Sequence, residues 1–456
     1  MLEASVSERL IDFAFAWKER GVPEDVTHEA KRLLLNQLKA SVGATQTDTV
    51  RILHGSISPP RPDQKPAHVI WLGTQTTQED AALVNGALYE VLDFHDTYIP
   101  CYMHATSAVL PAVMAVAESR GHSGKDAIDA LALGMEIELA IATMLMPTAY
   151  FRGYVPAGLT GSVGAAAACS ILAGLSKDQM RDALGIAMCT AFGLYVSVGS
   201  MTLSYITGAT ARSGLTAFNL AEKGFDAPKT SFEGDKGMFV THSDEDAKKI
   251  DEVLETLGQT WRIHGQTYKV IPTETITHGP VELILDVLPR ANGRTVESLE
   301  FAVCPIVKDI CDERMERFGD PDSELTARFD LCFCAAAAWE RGRFTLEEMR
   351  EPAYTDKEIL ALRSRTRLVA DDARETFEGC SLIATFTDGT TETANVDAFL
   401  GSPGSRMTDD QLSDLFRMSS ADILPDGRAD EILDAVWFLE QAGSIAGLMS
   451  LLTLKQ

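Results

Sequence analysis

The segment Asp93 to Val109, DFHDTYIPCYMHATSAV, gathers two aspartates, two histidines, two tyrosines and a cysteine in a region otherwise rich in Ala and Leu. Such a composition suits metal ligation, acid–base catalysis or a polar junction between helices. His95 and His104 are nine residues apart, with Asp93 and Asp96 beside them. Metal motifs place ligands at i and i+4 of one helix or in paired short spacings, and neither pattern is present, so no metal is expected here. Cys101 adds a thiolate base as a competing chemistry, but no second cysteine is placed by sequence to join it.

Two further stretches concentrate polar chemistry. In TYKVIPTETITHGPVE, Lys269 and His278 flank Pro272 among four threonines. That segment lies where the character of the chain changes, and small-molecule sites favour boundaries between domains. In PTAYFRGYVPAGLTGSVGAAAA, Tyr150, Arg152 and Tyr154 precede a helix of small residues. Its N-terminal N–H groups could face an anion beside the guanidinium, although an arginine capping local structure explains the same residues.

The elements that must hold these stretches are helical to about residue 260. SERLIDFAFAWKER and VTHEAKRLLLNQLKASV repeat apolar residues every three or four positions. Ser123 with Asp126, and Ser176 with Gln179, have the spacing of capping boxes. GSVGAAAACSILAGL and GATARSGLTAFNLAEKGF read as close helix packing. No strand precedes either one, as a dinucleotide-binding loop requires. Beyond about residue 262, ESLEFAVCPIV and GCSLIATFTDGTTETANV alternate like strands, with Asp388-Gly389 as a hairpin turn. SELTARFDLCFCAAAAWERG and KEILALRSRTRLV between them have helical patterns, and GSPGS at 401–405 reads as a linker.

The expected fold is therefore mainly α: an all-helical domain from 1–262 and 406–456, with a smaller α+β lid domain, 263–405, inserted before the C-terminal helices. A net charge of −26 argues against nucleic acid or an anionic membrane as partner. The N-terminal MLEASVSERLIDFAFAW has acids where a signal peptide carries its basic region. The longest apolar run, AIDALALGMEIELAIATMLM, is interrupted by Asp129, Glu136 and Glu138 and so reads as a buried helix, not a membrane span. A cytoplasmic location is expected, with the eight cysteines reduced.

Taken in order, NGALYEVLDFHDTY with His104 and SAVLPAVMAVAES, GLTGSVGAAAACSILAGLSKDQMRDALGIA, GATARSGLTAFNLAEKGFDAP with FEGDKGMF, and YKVIPTETITH resemble the MmgE/PrpD family. That family includes 2-methylcitrate dehydratase, cis-aconitate decarboxylase and iminodisuccinate epimerase. The resemblance implies a homodimer, a site between a helical domain and a lid, di- or polycarboxylate substrates, and no metal or organic cofactor. Asp93, Thr97 and His104 match the family's first motif, and Lys269 and His278 match its lid motif. Val155, Leu203 and Phe333 stand where dehydratase and decarboxylase members place a histidine, a lysine and a tyrosine.

Losing three proton-handling or carboxylate-binding groups disfavours elimination and decarboxylation and leaves epimerisation, in which nothing departs. The reading is thus a cofactor-independent epimerase inverting a carbon next to a carboxylate, with iminodisuccinate as substrate. Lys269 and one of Tyr154 or His104 form the two-base pair. Arg152, His278, Thr97 and Tyr98 bind carboxylates, and Asp93 orients His104 or Lys269. The alternatives are a dehydratase or decarboxylase of a tricarboxylate such as 2-methylcitrate or cis-aconitate, and a relative that binds carboxylates without catalysis.

Overall fold

The computed structural model describes residues 5–243 and 247–454. Two compact units emerge: Met1–Gln266 with Thr408–Gln456, and Thr267–Met407. The fold is mainly α with one small sheet of four strands.

The first part of unit 1 runs through α1 (Val6–Arg20), α2 (Glu24–Val42), α3 (Gln78–Glu90), α4 (Ala105–Arg120), α5 (Gly124–Leu145), α6 (Pro156–Ala173), α7 (Lys177–Cys189) and α8 (Met201–Glu222). A short hairpin pairing Ala67–Val69 with Thr74–Thr76 breaks the helical pattern. The Ser176 box is complete: its hydroxyl accepts the Gln179 N–H, and the Gln179 side chain accepts the Ser176 N–H. At Ser123 only half forms, because Asp126 turns its carboxylate to the Ser123 hydroxyl, 2.7 Å away, instead of the backbone. Helix α6 packs against α4, α5, α7 and α8, and its small residues are what allow four neighbours so close. It is the one described helix long and apolar enough to cross a membrane, but 94% of that apolar window is buried inside the protein. The run at 127–146 is a buried helix as expected, with Glu136 and Glu138 buried on α5.

One of those carboxylates shapes α6. Glu138 is fully buried and lies over Gly161 and Gly164, where a Cβ on Gly164 would come within 2.6 Å of its Oε2. Among the described residues neither of its oxygens has a hydrogen-bond partner. Burial, then the neighbouring Asp96, holds this carboxyl well above the usual carboxylate range. A carboxyl raised on folding binds more protons in the native chain than in the unfolded one, so native stability falls as pH rises above about 4.3, its unfolded value. Glu138→Gln should remove this dependence. Urea midpoints of the variant should gain on wild type as pH rises above about 5; curves that stay parallel would refute the neutral carboxyl.

Unit 2 contains α9 (His278–Ala291), β1 (Val296–Val303), α10 (Pro305–Phe318), α11 (Leu331–Arg341), β2 (Thr366–Ala370), β3 (Cys380–Phe386) and β4 (Thr391–Val396). Its sheet runs β2-β1-β3-β4, with β1 parallel to β2 and antiparallel to β3. A register shift between Val296 and Ser298 changes phase, so that Val296, Leu299, Phe301 and Val303 all reach the core. The Asp388-Gly389 turn joins β3 to β4; Gly389 has φ +82° and Asp388 accepts the Thr390 N–H at 2.9 Å. Two expectations need correction. The helix beginning at Lys357 stops at Arg363, and Thr366–Ala370 is a strand whose β-branched residues pair with β1. The GSPGS segment is a built turn, not a linker: Gly401 N–H donates to Ser405 O, and its own carbonyl accepts from Tyr268.

The chain then returns to unit 1 through α12 (Asp409–Ser420) and α13 (Arg428–Trp437). Asp409, in the first turn of α12, pairs with Arg32 and, at 2.9 Å, with His28 of α2. Lys31 bonds Glu440 at 2.9 Å and the Trp437 carbonyl at 2.8 Å. These pairs fasten the last helices to the second one.

Candidate active site

The first stretch lies between α3 and α4. Asp93 follows α3 with φ +50° and is 8% exposed. The chain then folds back on itself: Tyr98 N–H donates to Met103 O at 2.7 Å, and Met103 N–H returns the bond to Tyr98 O at 3.1 Å. This closure brings His104, the N-cap residue of α4, beside Thr97 and Asp96. His104 Nδ1 lies 3.0 Å from the Asp96 carbonyl and 3.3 Å from Thr97 Oγ1. A carbonyl only accepts, so Nδ1 carries a proton, and Nε2 is the nitrogen at which a proton can be gained or lost. The loop therefore prepares one nitrogen of His104 as a base.

Asp96 is fixed more deeply than the sequence suggests. It is fully buried, and its carboxylate accepts from Gln37 Nε2 at 2.8 Å, Thr106 Oγ1 at 2.8 Å and Asn36 Nδ2 at 3.3 Å. Burial raises its affinity for a proton despite those donors. Asn36 and Gln37 were missed as contributors; their signal is a polar pair inside the apolar run RLLLNQLKASV. Side chain and main chain of Asp96 thus join α2, α4 and the His104 ring.

The second group in unit 1 surrounds Tyr154. Arg152 is exposed on the turn after a short helix, Thr148–Phe151. The Tyr154 ring meets His242 at 4.9 Å, and burial, with Arg152 contributing, lowers the proton affinity of His242. Tyr102 of the first loop packs on Tyr150 at 4.6 Å, which links the two stretches along one wall. Val155 occupies the N-cap of α6 without a side-chain bond. Tyr98 covers Gly265, and burial pushes its hydroxyl up to about 12. Cys101 is fully buried, and that burial first of all drives its thiol far above the ordinary range, so it is a neutral thiol and not a base.

In unit 2, Lys269 is fully buried and His278 is 2% exposed at the start of α9. His278 Nε2 accepts the Val270 N–H at 3.2 Å and lies 3.5 Å from the Ile271 nitrogen, while Nδ1 donates to Glu274 O at 3.2 Å. Both ring nitrogens brace the turn that follows Lys269, which suits positioning better than direct substrate binding. Phe333 is fully buried in the core of this unit, and Leu203 lies in the first turn of α8.

A model of the MmgE/PrpD N-terminal domain matches residues 8–251, and one of the MmgE/PrpD C-terminal domain matches residues 271–441. Over its whole length the chain is similar to curated proteins at low identity. A cis-aconitate decarboxylase-like protein, oryM, from Aspergillus oryzae is 25% identical over 99% of this chain and 98% of its own. Cis-aconitate decarboxylase of Aspergillus terreus is 26% identical over 99% and 96%. The Homo sapiens enzyme of the same name is 24% identical over 99% and 95%.

Proposed function

The chain belongs to the MmgE/PrpD family, and on that premise we propose that it is an enzyme acting on a di- or tricarboxylate by proton transfer at a carbon next to a carboxylate. The observation that carries this reading is His104, whose Nδ1–H is held by the Asp96 carbonyl so that Nε2 is the basic nitrogen. Similarity to cis-aconitate decarboxylases over nearly all of both chains supports a carbon–carbon lyase acting on a tricarboxylate such as cis-aconitate. In that reaction the bond to a carboxylate breaks, CO₂ leaves, and the electron pair remains on carbon, delocalised toward a neighbouring carboxylate. Protonated His104 returns a proton to that carbon, and Lys269 or Tyr154 is the second acid–base group. Arg152, Thr97 and Tyr98 bind carboxylates, and Asp93 and His278 act as positioning residues.

A second reading, epimerisation of iminodisuccinate, is favoured by one observation: Val155, Leu203 and Phe333 are apolar where the resemblance leads one to expect a histidine, a lysine and a tyrosine. A homodimer is part of the proposal, supported by exposed apolar side chains near Tyr154, among them Phe151, Leu194 and Val196.

Proton NMR in D₂O separates the readings. Incubation with cis-aconitate should release CO₂ and give an unsaturated dicarboxylate carrying solvent deuterium. Exchange at the α-carbon of a single stereoisomer of iminodisuccinate, with no loss of material, would instead establish the epimerase. Inertness toward both would sink the proton-transfer reading.

A further inference from the structure

The loop that carries His104 also brings together residues that no motif spacing connects. Glu90, at the end of α3, His95 and His104 each present one ligand atom, all within 4.8 Å of one another. Glu90 Oε2 is 3.4 Å from His95 Nε2, and Asp93 Oδ1 is 3.8 Å from the same nitrogen. The two imidazole rings meet at right angles with centroids 4.3 Å apart. Glu90 and His95 are both buried.

From this juxtaposition we infer that Glu90, His95 and His104 form an inhibitory site for a divalent transition-metal ion of the Zn²⁺ class. Bonds of about 2.1 Å in a tetrahedron separate adjacent ligand atoms by about 3.4 Å. The Glu90–His95 pair already has that separation, so only His104 must approach, by at most about 1.4 Å since all three ligand atoms lie within 4.8 Å. Two imidazoles and a carboxylate select zinc-like ions over Mg²⁺, which demands oxygen ligands. The outer contacts fit as well: a metal-bound histidine commonly donates its other N–H to a carbonyl, as His104 does to Asp96. Asp93 adds a second negative charge beside the ion. An ion held there takes the Nε2 lone pair of His104, the pair assigned above to proton transfer. Inhibition therefore rests on the proposed role of His104, whereas ion binding does not.

Titration of the whole chain with ZnCl₂ against a chromophoric chelator, without substrate, tests the site. One Zn²⁺ per chain is expected, with no competition from millimolar Mg²⁺, and Co²⁺ should show the visible bands of a tetrahedral site. Glu90→Gln and His95→Asn should each weaken Zn²⁺ at least about tenfold. Glu90→Gln preserves shape and keeps the test decisive if the other variant fails to fold. Absence of stoichiometric Zn²⁺, equal affinity in folded Glu90→Gln, or displacement by Mg²⁺ overturns the site. Tight binding without loss of turnover overturns the inhibition and the role of His104, but not the ion site.

Discussion

Replacing His104 with asparagine should lower kcat by about a thousandfold while the thermal transition stays close to that of wild type. The asparagine amide can still donate to the Asp96 carbonyl, as Nδ1 does at 3.0 Å, so the loop keeps its closure. What disappears is the Nε2 lone pair and the proton it would carry. General acid–base groups contribute about 10²–10⁴ in rate, which sets the magnitude. Steady-state kinetics on the substrate identified by NMR checks it. A variant retaining more than a tenth of wild-type kcat would remove His104 from the chemistry, and a collapse of folding would recast it as structural.

The largest expected effect on stability comes from Arg262. Its guanidinium donates to Glu136 Oε1 at 2.6 Å, its backbone N–H donates to Oε2 at 2.8 Å, and Glu136 is fully buried on α5. Burial already lifts the Glu136 carboxyl above its usual range, more than Arg262 pulls it down. Arg262→Met leaves that carboxylate without its cation, at a cost of about 3–5 kcal/mol. Its folded proton affinity then rises further above the unfolded value, so the deficit should grow as pH increases and shrink in mild acid. Guanidinium melts at two pH values measure both. The double variant Arg262→Met, Glu136→Gln should recover a large part of the loss; additive losses would show that the pair is not a unit.

Local patterns were the legible part of this fold. Helices α1 and α2 follow from apolar spacing, the Ser176 box from two residues, and the β3–β4 hairpin from Asp388-Gly389. Strand β2 looks helical in sequence because TRLVA follows directly on a helical run, and only pairing with β1, about 70 residues earlier, decides its conformation. The site divides in the same way. Thr97 and His104 are neighbours through a local turn, and the family resemblance of that stretch pointed to both. Glu90 did not, because it ends an apolar helix and reaches His95 only after the chain reverses at Asp93. Nor did the support of Asp96 by Asn36 and Gln37, which are about 60 residues away. Cys101, suggestive by its neighbours, is neutralised by burial that no spacing reveals. The family was legible from several motifs taken together. The chemistry was less so, since three apolar replacements point to epimerisation while full-length relatives carry the name of a decarboxylase.

The ion pairs joining α2 to the returning helices bear on how this chain is made. Arg32, beside Glu29 of its own helix, meets Asp409 only 377 residues later. At translation rates of about 5–20 residues per second, the exposed second helix spends tens of seconds without its covering. Thr267–Met407, contiguous in sequence, can form before the first-synthesised residues are complete. Nascent unit 1 is thus the stage most exposed to aggregation, and Thr408–Gln456 close it only after unit 2 has been synthesised.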